Sequence, residues 1–250
     1  MKALGIIPAR LASTRFPDKP LAELFGKTMI EHTLAAAARA ALLDRVLVAT
    51  DSERIREVVG KDAALLTPAD CATGTDRVVA ALAALGSDEL RAYDVVVNVQ
   101  GDEPGVDPRH IDQCIAALRA DPASVMSTLA TPIHSERDAL SRDVVKCVAD
   151  QHGNALYFSR ALIPHSKSGA YAPEATTYLR HVGLYAFRTE FLLRFPSLPR
   201  SPLEQSEDLE QLRVLSAGHT IKLVQVDATL PGVDTREELD ALKAQWPQHP

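Results

Sequence analysis

Short apolar segments alternate along the first half of the chain with longer segments in which apolar residues recur at helical spacing. Three segments are nearly continuously apolar and predict strands buried on both faces: residues 3–7, 46–49 and 95–99. Three others have the period of helices: residues 28–41, 52–59 and 75–85. Strands that alternate with helices in this way favour a parallel sheet with helices on both faces.

The second half has a more mixed pattern, in which strands follow one another without intervening helices. The strand-like segments are residues 124–130, 144–150, 155–159, 181–187 and 221–226. Residues 151–154 have the composition of a hairpin turn. The sequence therefore predicts an α/β fold, with a mostly parallel, doubly wound sheet and a smaller mixed or antiparallel subdomain.

Two helices are predicted near the end of the chain from their boundary residues. Residues 202–216 begin with a proline and are followed by Gly218, which is typical of a helix start and a helix end. Thr235 and Glu238 have the spacing of a capping box for a last helix, from Arg236 to about Trp246. The segment 166–177 is the least regular, with small and polar residues and no clear period.

Composition narrows the class of protein. The chain has 250 residues, 46% of them hydrophobic and 24% charged, which is typical of a globular domain near the upper size for one core. A net charge of −6 argues against nucleic-acid binding, and no apolar run approaches the roughly 20 residues that span a membrane. Three cysteines without metal-type spacing, and no export signal at the first residues, favour a reducing cytoplasm.

The segment after the first predicted strand is locally cationic in this acidic chain. It contains Arg10, Arg15 and Lys19 together with the hydroxyl of Ser13. It lies at the carboxyl end of a strand, where open α/β sheets bind ligands, and its charged and backbone donors suit a triphosphate. The alternative is a solvated surface loop with incidental charge.

Other phosphate and metal motifs are absent. The segment Gly26-Lys27-Thr28 resembles the end of a phosphate-binding loop, but that pattern needs a glycine where Leu21 stands. No GxGxxG follows the first strand, which disfavours a Rossmann dehydrogenase, and no HExxH or paired Cys/His cluster supports zinc.

Two carboxylates are candidates for a metal site. Asp102 follows the third predicted strand, and Mg²⁺ is typically held by one or two carboxylates together with substrate phosphates. Asp234 is the possible partner carboxylate. Each residue also has a purely structural interpretation, since Asp102 could belong to an ordinary turn and Asp234 could favour a helix N-terminus.

Further polar candidates occur elsewhere. Residues 72–77 open a predicted helix whose N-terminus could meet a base or phosphate, with Arg77 adding charge, although Thr75 could simply cap that helix. In the second half, a group in or beside strands could bind the carboxylate and hydroxyls of an acceptor, or could be structural: Arg160, Arg180, His181 and Tyr185.

These segments together resemble a known family, the 3-deoxy-manno-octulosonate (Kdo) cytidylyltransferases. The resemblance rests on seven motifs that occur in family order over nearly the whole chain: IPARLASTRFPDKPL, TGTDRV, NVQGDEP, ALYFSRALIP, LRHVGLYAFR, SPLEQSEDLEQLRVL and PGVDT. It implies transfer of CMP from CTP to the anomeric hydroxyl of Kdo, with Mg²⁺ as cofactor and pyrophosphate as the second product. It also implies a homodimer in the cytoplasm and a product used in lipopolysaccharide assembly.

The resemblance assigns roles to individual residues. The implied catalytic residues are Arg15, Lys19, Asp102 and Asp234, the last two as the metal ligands. The implied nucleotide contacts are Pro8, Ala9, Arg10, Ser13, Arg15, Lys19, Thr73, Gly74, Arg77 and Gln100. The implied acceptor contacts are Gln100, Arg160, His181, Tyr185, Glu210 and Gln211.

Within one domain over residues 1–250, we expect a nucleotide-binding part at about 1–130 and 215–250. Residues 131–214 would bind the acceptor and form the dimer. Two departures, at Ala72-Thr73-Gly74 and at Glu207-Asp208, bear on fine contacts only. The alternatives are a cytidylyltransferase for a sialic acid or an amino-modified Kdo, and a non-catalytic nucleotide-binding protein, which would not need both Asp102 and Asp234.

Overall fold

The computed structural model describes residues 1–13, 15–167 and 169–246. Its strands are β1 Ala3–Ala9, β2 Glu23–Leu24, β3 Lys27–Thr28, β4 Arg45–Thr50, β5 Ala64–Leu66, β6 Val95–Asn98, β7 Ser124–Pro132, β8 Lys146–Ala149, β9 Ala155–Ser159, β10 Leu179–Arg188 and β11 Thr220–Gln225. Its helices are α1 Met29–Ala37, α2 Glu53–Val59, α3 Gly74–Leu85, α4 Ser87–Leu90, α5 Pro108–Ala120, α6 Glu136–Leu140, α7 Thr189–Arg194, α8 Pro202–Glu207, α9 Gln211–Ser216 and α10 Arg236–Gln245. The predicted α/β class, with a mostly parallel sheet and a smaller antiparallel part, is confirmed.

The contacts within the chain divide it into two compact units. The first contains residues 1–112 and 229–250, and the second contains residues 113–228. These borders differ from the predicted functional parts, because residues 113–130 and 215–228 group with the second unit. The roles predicted for the two parts stay predictions.

The first unit contains the predicted parallel sheet, with strand order β6-β1-β4-β5. All three pairings are parallel. Leu4, Ile6 and the three valines of β6 have no exposed surface, as expected for strands covered on both faces. The short strand β5 was not predicted, since it has only three residues.

Strand β1 continues two residues beyond its predicted end and contains a proline. Strand β6 pairs with β1 only as far as Ile6, which lies opposite Asn98. Pro8 therefore lies where β1 is paired with β4 alone, and its missing N–H leaves no gap in a ladder on the β6 side. The last residues of β1 are therefore not paired with the loop that follows β6.

The second unit is mainly antiparallel. Strand β7 lies between β10, which is antiparallel to it, and β11, which is parallel. Strand β8 pairs antiparallel with both β10 and β9. The predicted hairpin turn at 151–154 is confirmed, since Asp150 Oδ1 accepts the N–H groups of His152 and Asn154, both at 2.8 Å.

The single helix predicted over residues 202–216 is wrong in one respect. The structure has two short helices, α8 and α9, with Asp208 between them in the left-handed conformation at φ 53°. The backbone carbonyls of Glu207 and Asp208 accept hydrogen bonds from the Arg160 side chain instead of continuing the helix. A long-range contact therefore ends a helix that local spacing alone would continue.

Candidate active site

The loop after β1 is fixed by one buried aromatic residue. Phe16 packs into a cluster with Leu24, Met29, Val233, Leu239 and Leu242. Its N–H donates to the Ser13 Oγ at 3.2 Å, which closes the preceding turn. Because Phe16 is buried beside Val233, its neighbours Arg15 and Lys19 are brought next to the segment that carries Asp234. Thr14, within the same motif, lies outside the described residues.

The two predicted metal ligands are tied together through the backbone. The Val233 N–H donates to the Asp102 carbonyl at 2.9 Å, so the loop after β6 and the segment before α10 form one rigid edge. The predicted Thr235–Glu238 capping box is present and fixes the start of α10 directly after Asp234. Asp102 and Asp234, 132 positions apart in the sequence, are thereby held at one place.

The Lys19 ammonium lies between the two carboxylates. Its Nζ is 3.0 Å from Asp102 Oδ2 and 2.8 Å from Asp234 Oδ1. Arg15 reaches the other oxygen of Asp234 at 3.0 Å. The two acids proposed as a metal pair therefore do lie together beside the cationic loop, with the Lys19 ammonium between them, and their role as metal ligands stays a prediction.

The pKa shifts follow from this arrangement. Burial would lower the pKa of Lys19, but the charges and hydrogen bonds of Asp102 and Asp234 outweigh burial and raise it. Burial would raise the pKa of Asp234, but Lys19 and then Arg15 outweigh burial and lower it. Lys19 and Asp234 are therefore both charged at neutral pH.

The position of the Lys19 ammonium also tests whether a divalent cation fits here. One cation already contacts an oxygen of each carboxylate, and carboxylate oxygens are the ligands that Mg²⁺ prefers. No group of three or more His, Cys, Asp or Glu side chains within residues 1–13, 15–167 and 169–246 could hold a metal. Two carboxylates completed by substrate phosphates fit a Mg²⁺ site of the kind that nucleotide enzymes use.

A cavity of about 660 Å³ opens at this edge of the first unit. Its lining contains every residue predicted to be catalytic or to contact the nucleotide: Pro8, Ala9, Arg10, Ser13, Arg15, Lys19, Thr73, Gly74, Arg77, Gln100, Asp102 and Asp234. Four lining residues were not predicted: Ala12, Pro20, Cys71 and Gly101. The structure thus brings the predicted nucleotide residues together, while their contacts with a nucleotide stay predictions.

Helix α3 points its N-terminus into the cavity, and its cap differs from the one considered from sequence. Thr73, not Thr75, caps the helix, in a reciprocal box with Asp76. Arg77 lines the cavity but is 2% exposed, and it donates to Thr67 Oγ1 at 2.8 Å and to Asp51 Oδ2 at 3.1 Å. These bonds tie α3 to the segments after β4 and β5, so Arg77 has a structural role whether or not it contacts a ligand.

The predicted acceptor residues, apart from Gln100, lie in the second unit. His181 on β10 is buried, and its Nε2 is 3.0 Å from Thr128 Oγ1. Burial, and to a smaller extent the charge of Arg180, lowers the pKa of His181 to about 3, so its ring is neutral. Its ring lies 5.0 Å from that of Phe158 and 5.5 Å from that of Tyr185, measured between centroids.

Arg160 and the start of α9 form the rest of the predicted acceptor group. The Arg160 Nε donates to the Glu207 carbonyl at 2.7 Å, which joins the end of β9 to the break between α8 and α9. Glu210 and Gln211 follow that break directly. Gln211 is 4% exposed, and its Nε2 has no hydrogen-bond partner among the residues that the structure describes.

Comparison with known proteins identifies the family. Residues 4–221 match the family model described as "Cytidylyltransferase". The chain is 46% identical to the 3-deoxy-manno-octulosonate cytidylyltransferase of Syntrophotalea carbinolica, over 98% of each chain. The chain belongs to the 3-deoxy-manno-octulosonate cytidylyltransferase family. The member from Zea mays is 45% identical, and the match covers 97% of this chain and 80% of the maize protein.

Solved structures agree with membership of the cytidylyltransferase family. A structure of CMP:2-keto-3-deoxy-manno-octonic acid synthetase complexed with CTP has a TM-score of 0.88 at 39% identity, over 98% of each chain. A 4-diphosphocytidyl-2C-methyl-D-erythritol synthase from Anaerococcus prevotii has a TM-score of 0.65 at 15% identity, over 98% of this chain and 97% of that one. The second likeness shows the fold alone.

Two features of this family member were not found from sequence. Gly101 packs so closely on β1 that a Cβ there would lie 2.7 Å from the Pro8 carbonyl oxygen. The glycine before Asp102 was a possible signal, but only the fold shows what it approaches. Lys146 is fully buried and donates to three carbonyls, which no local pattern around it indicates.

Proposed function

We propose that the chain transfers CMP from CTP to the anomeric hydroxyl of Kdo and releases pyrophosphate. The observation that carries the proposal is the Lys19 ammonium held between Asp102 and Asp234, at the mouth of a cavity lined by cationic residues of the loop after β1. A non-catalytic nucleotide-binding protein would need the loop but not two converged carboxylates. Family membership at 46% identity supports the same reaction.

In this reaction the acceptor hydroxyl attacks the α-phosphorus in line, and the bond to the β-phosphate oxygen breaks. Such transfers depend mainly on positioning and on stabilising charge. Arg10, Arg15 and Lys19 line the cavity. They would bind the triphosphate, and each charge-assisted bond would contribute about 1.5–3 kcal/mol. Arg15 and Lys19 would balance the charge that develops on the departing pyrophosphate.

We propose Mg²⁺ as the cofactor, with Asp102 and Asp234 as its protein ligands. When bound there, the ion would supply positive charge to phosphoryl oxygens and lower the pKa of a coordinated hydroxyl. Lys19 would exchange its carboxylate partners for phosphate oxygens. The chain itself would contribute the fixed spacing of the two acids, which the bond from Val233 to Asp102 maintains.

For the acceptor we propose the predicted contacts Arg160, His181, Tyr185, Glu210 and Gln211, together with Gln100. The His181 ring is neutral, so it would act as a hydrogen-bonding group and not as a positive charge. The unpaired Gln211 Nε2 is a donor that an acceptor oxygen would satisfy. We assign no side chain as a general base.

Pyrophosphate release, measured with each of four nucleoside triphosphates, with and without Kdo and with and without Mg²⁺, tests the proposal. We expect release only with CTP, Kdo and Mg²⁺ together. Kdo, 8-amino-Kdo and a sialic acid offered in competition would separate the alternative acceptors. Binding of CTP by calorimetry with zero turnover on every sugar acid would reject the enzyme in favour of a binding protein.

The remaining expectations concern assembly, location and pathway. We propose a homodimer formed through residues 131–214, which sedimentation at two protein concentrations would test. None of the helices in the described part of the chain is long and apolar enough to cross a membrane. We propose that the protein works in the cytoplasm and supplies lipopolysaccharide assembly, although a relative from Arabidopsis thaliana is named as mitochondrial. Cell fractionation would test the location.

A further inference from the structure

Lys146, at the start of β8, is a charged residue that the proposed reaction does not use. It has no exposed surface, and its Nζ donates to the carbonyls of Ser141, Val144 and Arg160, each at 2.6 Å. A buried ammonium is costly unless its donors are satisfied, and three carbonyls satisfy all three of them. The ammonium therefore holds the Arg160 carbonyl in a fixed place.

Glu207, at the end of α8, holds the other side of the same peptide segment. Its carboxylate accepts from the Ser159 Oγ at 2.7 Å and from the Arg160 N–H at 2.9 Å. In return, the Arg160 side chain donates to the carbonyls of Glu207 and Asp208. One residue, Arg160, is thus fixed through its N–H, its carbonyl and its guanidinium.

The contacts of Arg160 determine where the next segment lies. Asp208 adopts the left-handed conformation, at φ 53°, directly between the Glu207 contacts and the start of α9. Residues other than glycine adopt this conformation at a cost, so it persists only where the surroundings impose it. Glu210 and Gln211 follow at once. Among the described residues the buried Gln211 Nε2 has no hydrogen-bond partner, so it is a donor that a ligand oxygen would satisfy.

We propose that Lys146 and Glu207 are positioning residues that clamp Arg160 and the segment 207–211, and so set the affinity for the acceptor. Neither residue belongs to the lining of the cavity in the first unit. Their loss should therefore weaken acceptor binding and leave CTP binding unchanged. The proposal rests on the acceptor role given above to Arg160, Glu210 and Gln211.

The test is Glu207→Gln, which keeps the shape but removes the charge and one acceptor oxygen. We expect the KM for Kdo to rise at least about tenfold, which corresponds to about 1.4 kcal/mol, while the KM for CTP stays within about twofold. Lys146→Met fills about the same space without donors. It should likewise raise the KM for Kdo and leave the KM for CTP within about twofold. If the buried site does not tolerate Met, Glu207→Gln decides alone.

Lys222→Met is the matched control. Lys222 also donates to a carbonyl, that of His152 at 2.8 Å, but it fixes the turn at the other end of the β8–β9 hairpin. We expect it to lower thermal stability and leave both KM values unchanged. An equal rise in the KM for Kdo in this control would mean that general destabilisation, not the clamp, is responsible, and would overturn the proposal.

Hydrogen exchange separates failure of the clamp from failure of the proposed function. In Glu207→Gln, the amides of Arg160 and of residues 207–211 should exchange faster, while those of β7 and β11 stay protected. Unchanged exchange there would refute the clamp, whichever acceptor the enzyme uses. Faster exchange with an unchanged KM for Kdo would also overturn the proposal, because the clamp would not then control the acceptor. A wild-type chain inactive with Kdo contradicts the proposed function itself.

Discussion

At the scale of single residues, Lys19 is the group at which the charges of the candidate site meet. It is 15% exposed in its side chain, and it neutralises two carboxylates that would otherwise repel each other. A metal ion that binds both carboxylates must compete with this ammonium. If Lys19 binds the triphosphate as proposed, it would have one set of partners without nucleotide and another with it.

Replacing Lys19 with Met should raise the affinity for a divalent cation in the absence of nucleotide. We expect Mn²⁺, followed by its electron paramagnetic resonance signal, to bind at least about tenfold more tightly, because the ammonium no longer competes for the two carboxylates. Turnover should fall, because the triphosphate loses a cationic contact. Lys61→Met, at an exposed position in the same unit, is the control and should change neither quantity. Weaker Mn²⁺ binding in Lys19→Met would contradict the competition.

His181 gives a second residue-scale prediction, through the pH dependence of stability. Its pKa falls from 6.5 to about 3 on folding, because burial disfavours the charged ring. Below pH 6.5 the unfolded chain binds a proton at His181 that the folded chain does not, and this proton favours unfolding. The contribution of the neutral His181 to the free energy of unfolding is therefore complete above pH 6.5. It is lost as the pH falls towards 3, by at most about 1.4 kcal/mol per pH unit.

Urea unfolding of the wild type and of His181→Gln at pH 7, 6 and 5 measures this effect. The difference in free energy of unfolding between the two proteins should shrink as the pH falls. Parallel curves for the wild type and His181→Gln would mean that the pKa of His181 is the same in the folded and the unfolded chain, and would contradict its shift on burial.

At the scale of elements, the close approach of the loop after β6 to β1 determines where Asp102 lies. A Cβ at Gly101 would lie 2.7 Å from a backbone oxygen of Pro8, which can move only with its strand. A Cβ at Gly74 would lie 3.5 Å from the Pro8 side chain, an ordinary contact. Both glycines approach Pro8, but only Gly101 lies too close to it to accommodate a Cβ atom.

Gly101→Ala should therefore destabilise the protein by about 1–3 kcal/mol and displace Asp102, with a marked fall in turnover. Gly74→Ala, at the first position of α3, should change the free energy of unfolding by less than about 0.5 kcal/mol. Chemical denaturation and pyrophosphate release measure the two effects. Equal tolerance of both substitutions would show that β1 and the loop after β6 are not so closely packed.

Elements were predictable from sequence where a local pattern is sufficient to form them. The continuous apolar runs of β1, β4 and β6 specify buried parallel strands, and the spacing of Thr235 and Glu238 specifies a helix start. The break at Asp208 was missed because its cause, Arg160, lies 48 positions away. Lys146 was missed for a different reason, since its three partners are backbone carbonyls, which every residue carries and which therefore leave no pattern in the sequence.

At the scale of the whole molecule, the sequence predicts those residues of the candidate site that lie at the carboxyl ends of neighbouring parallel strands. Strand β1 carries the cationic loop, and β6, which pairs with it, carries Asp102. The alternation of strands and helices predicts a parallel sheet, but it does not predict which strands are neighbours, and the structure supplies the pairing of β6 with β1. Asp234 is different, because the contact of Val233 with Asp102 is not visible in any local pattern. From the residues alone Asp234 was only a possible partner of Asp102, and the family resemblance implied the pair.

The two compact units give the last prediction, because each carries a different set of predicted contacts. Saturating CTP with Mg²⁺ should slow hydrogen exchange in residues 1–112 and 229–246, and a ligand at 100 times its Kd stabilises a protein by about 2.7 kcal/mol. Kdo should then slow exchange in residues 113–228, most strongly around Arg160 and residues 207–211. Asp102→Asn should remove the part of the CTP effect that depends on Mg²⁺ and keep the part that the cationic loop provides. If CTP slowed exchange only in residues 113–228, the nucleotide would bind in the second unit and not in the first. Asp102 and Asp234 could not then hold the metal ion of the nucleotide, and the role proposed for them would be refuted.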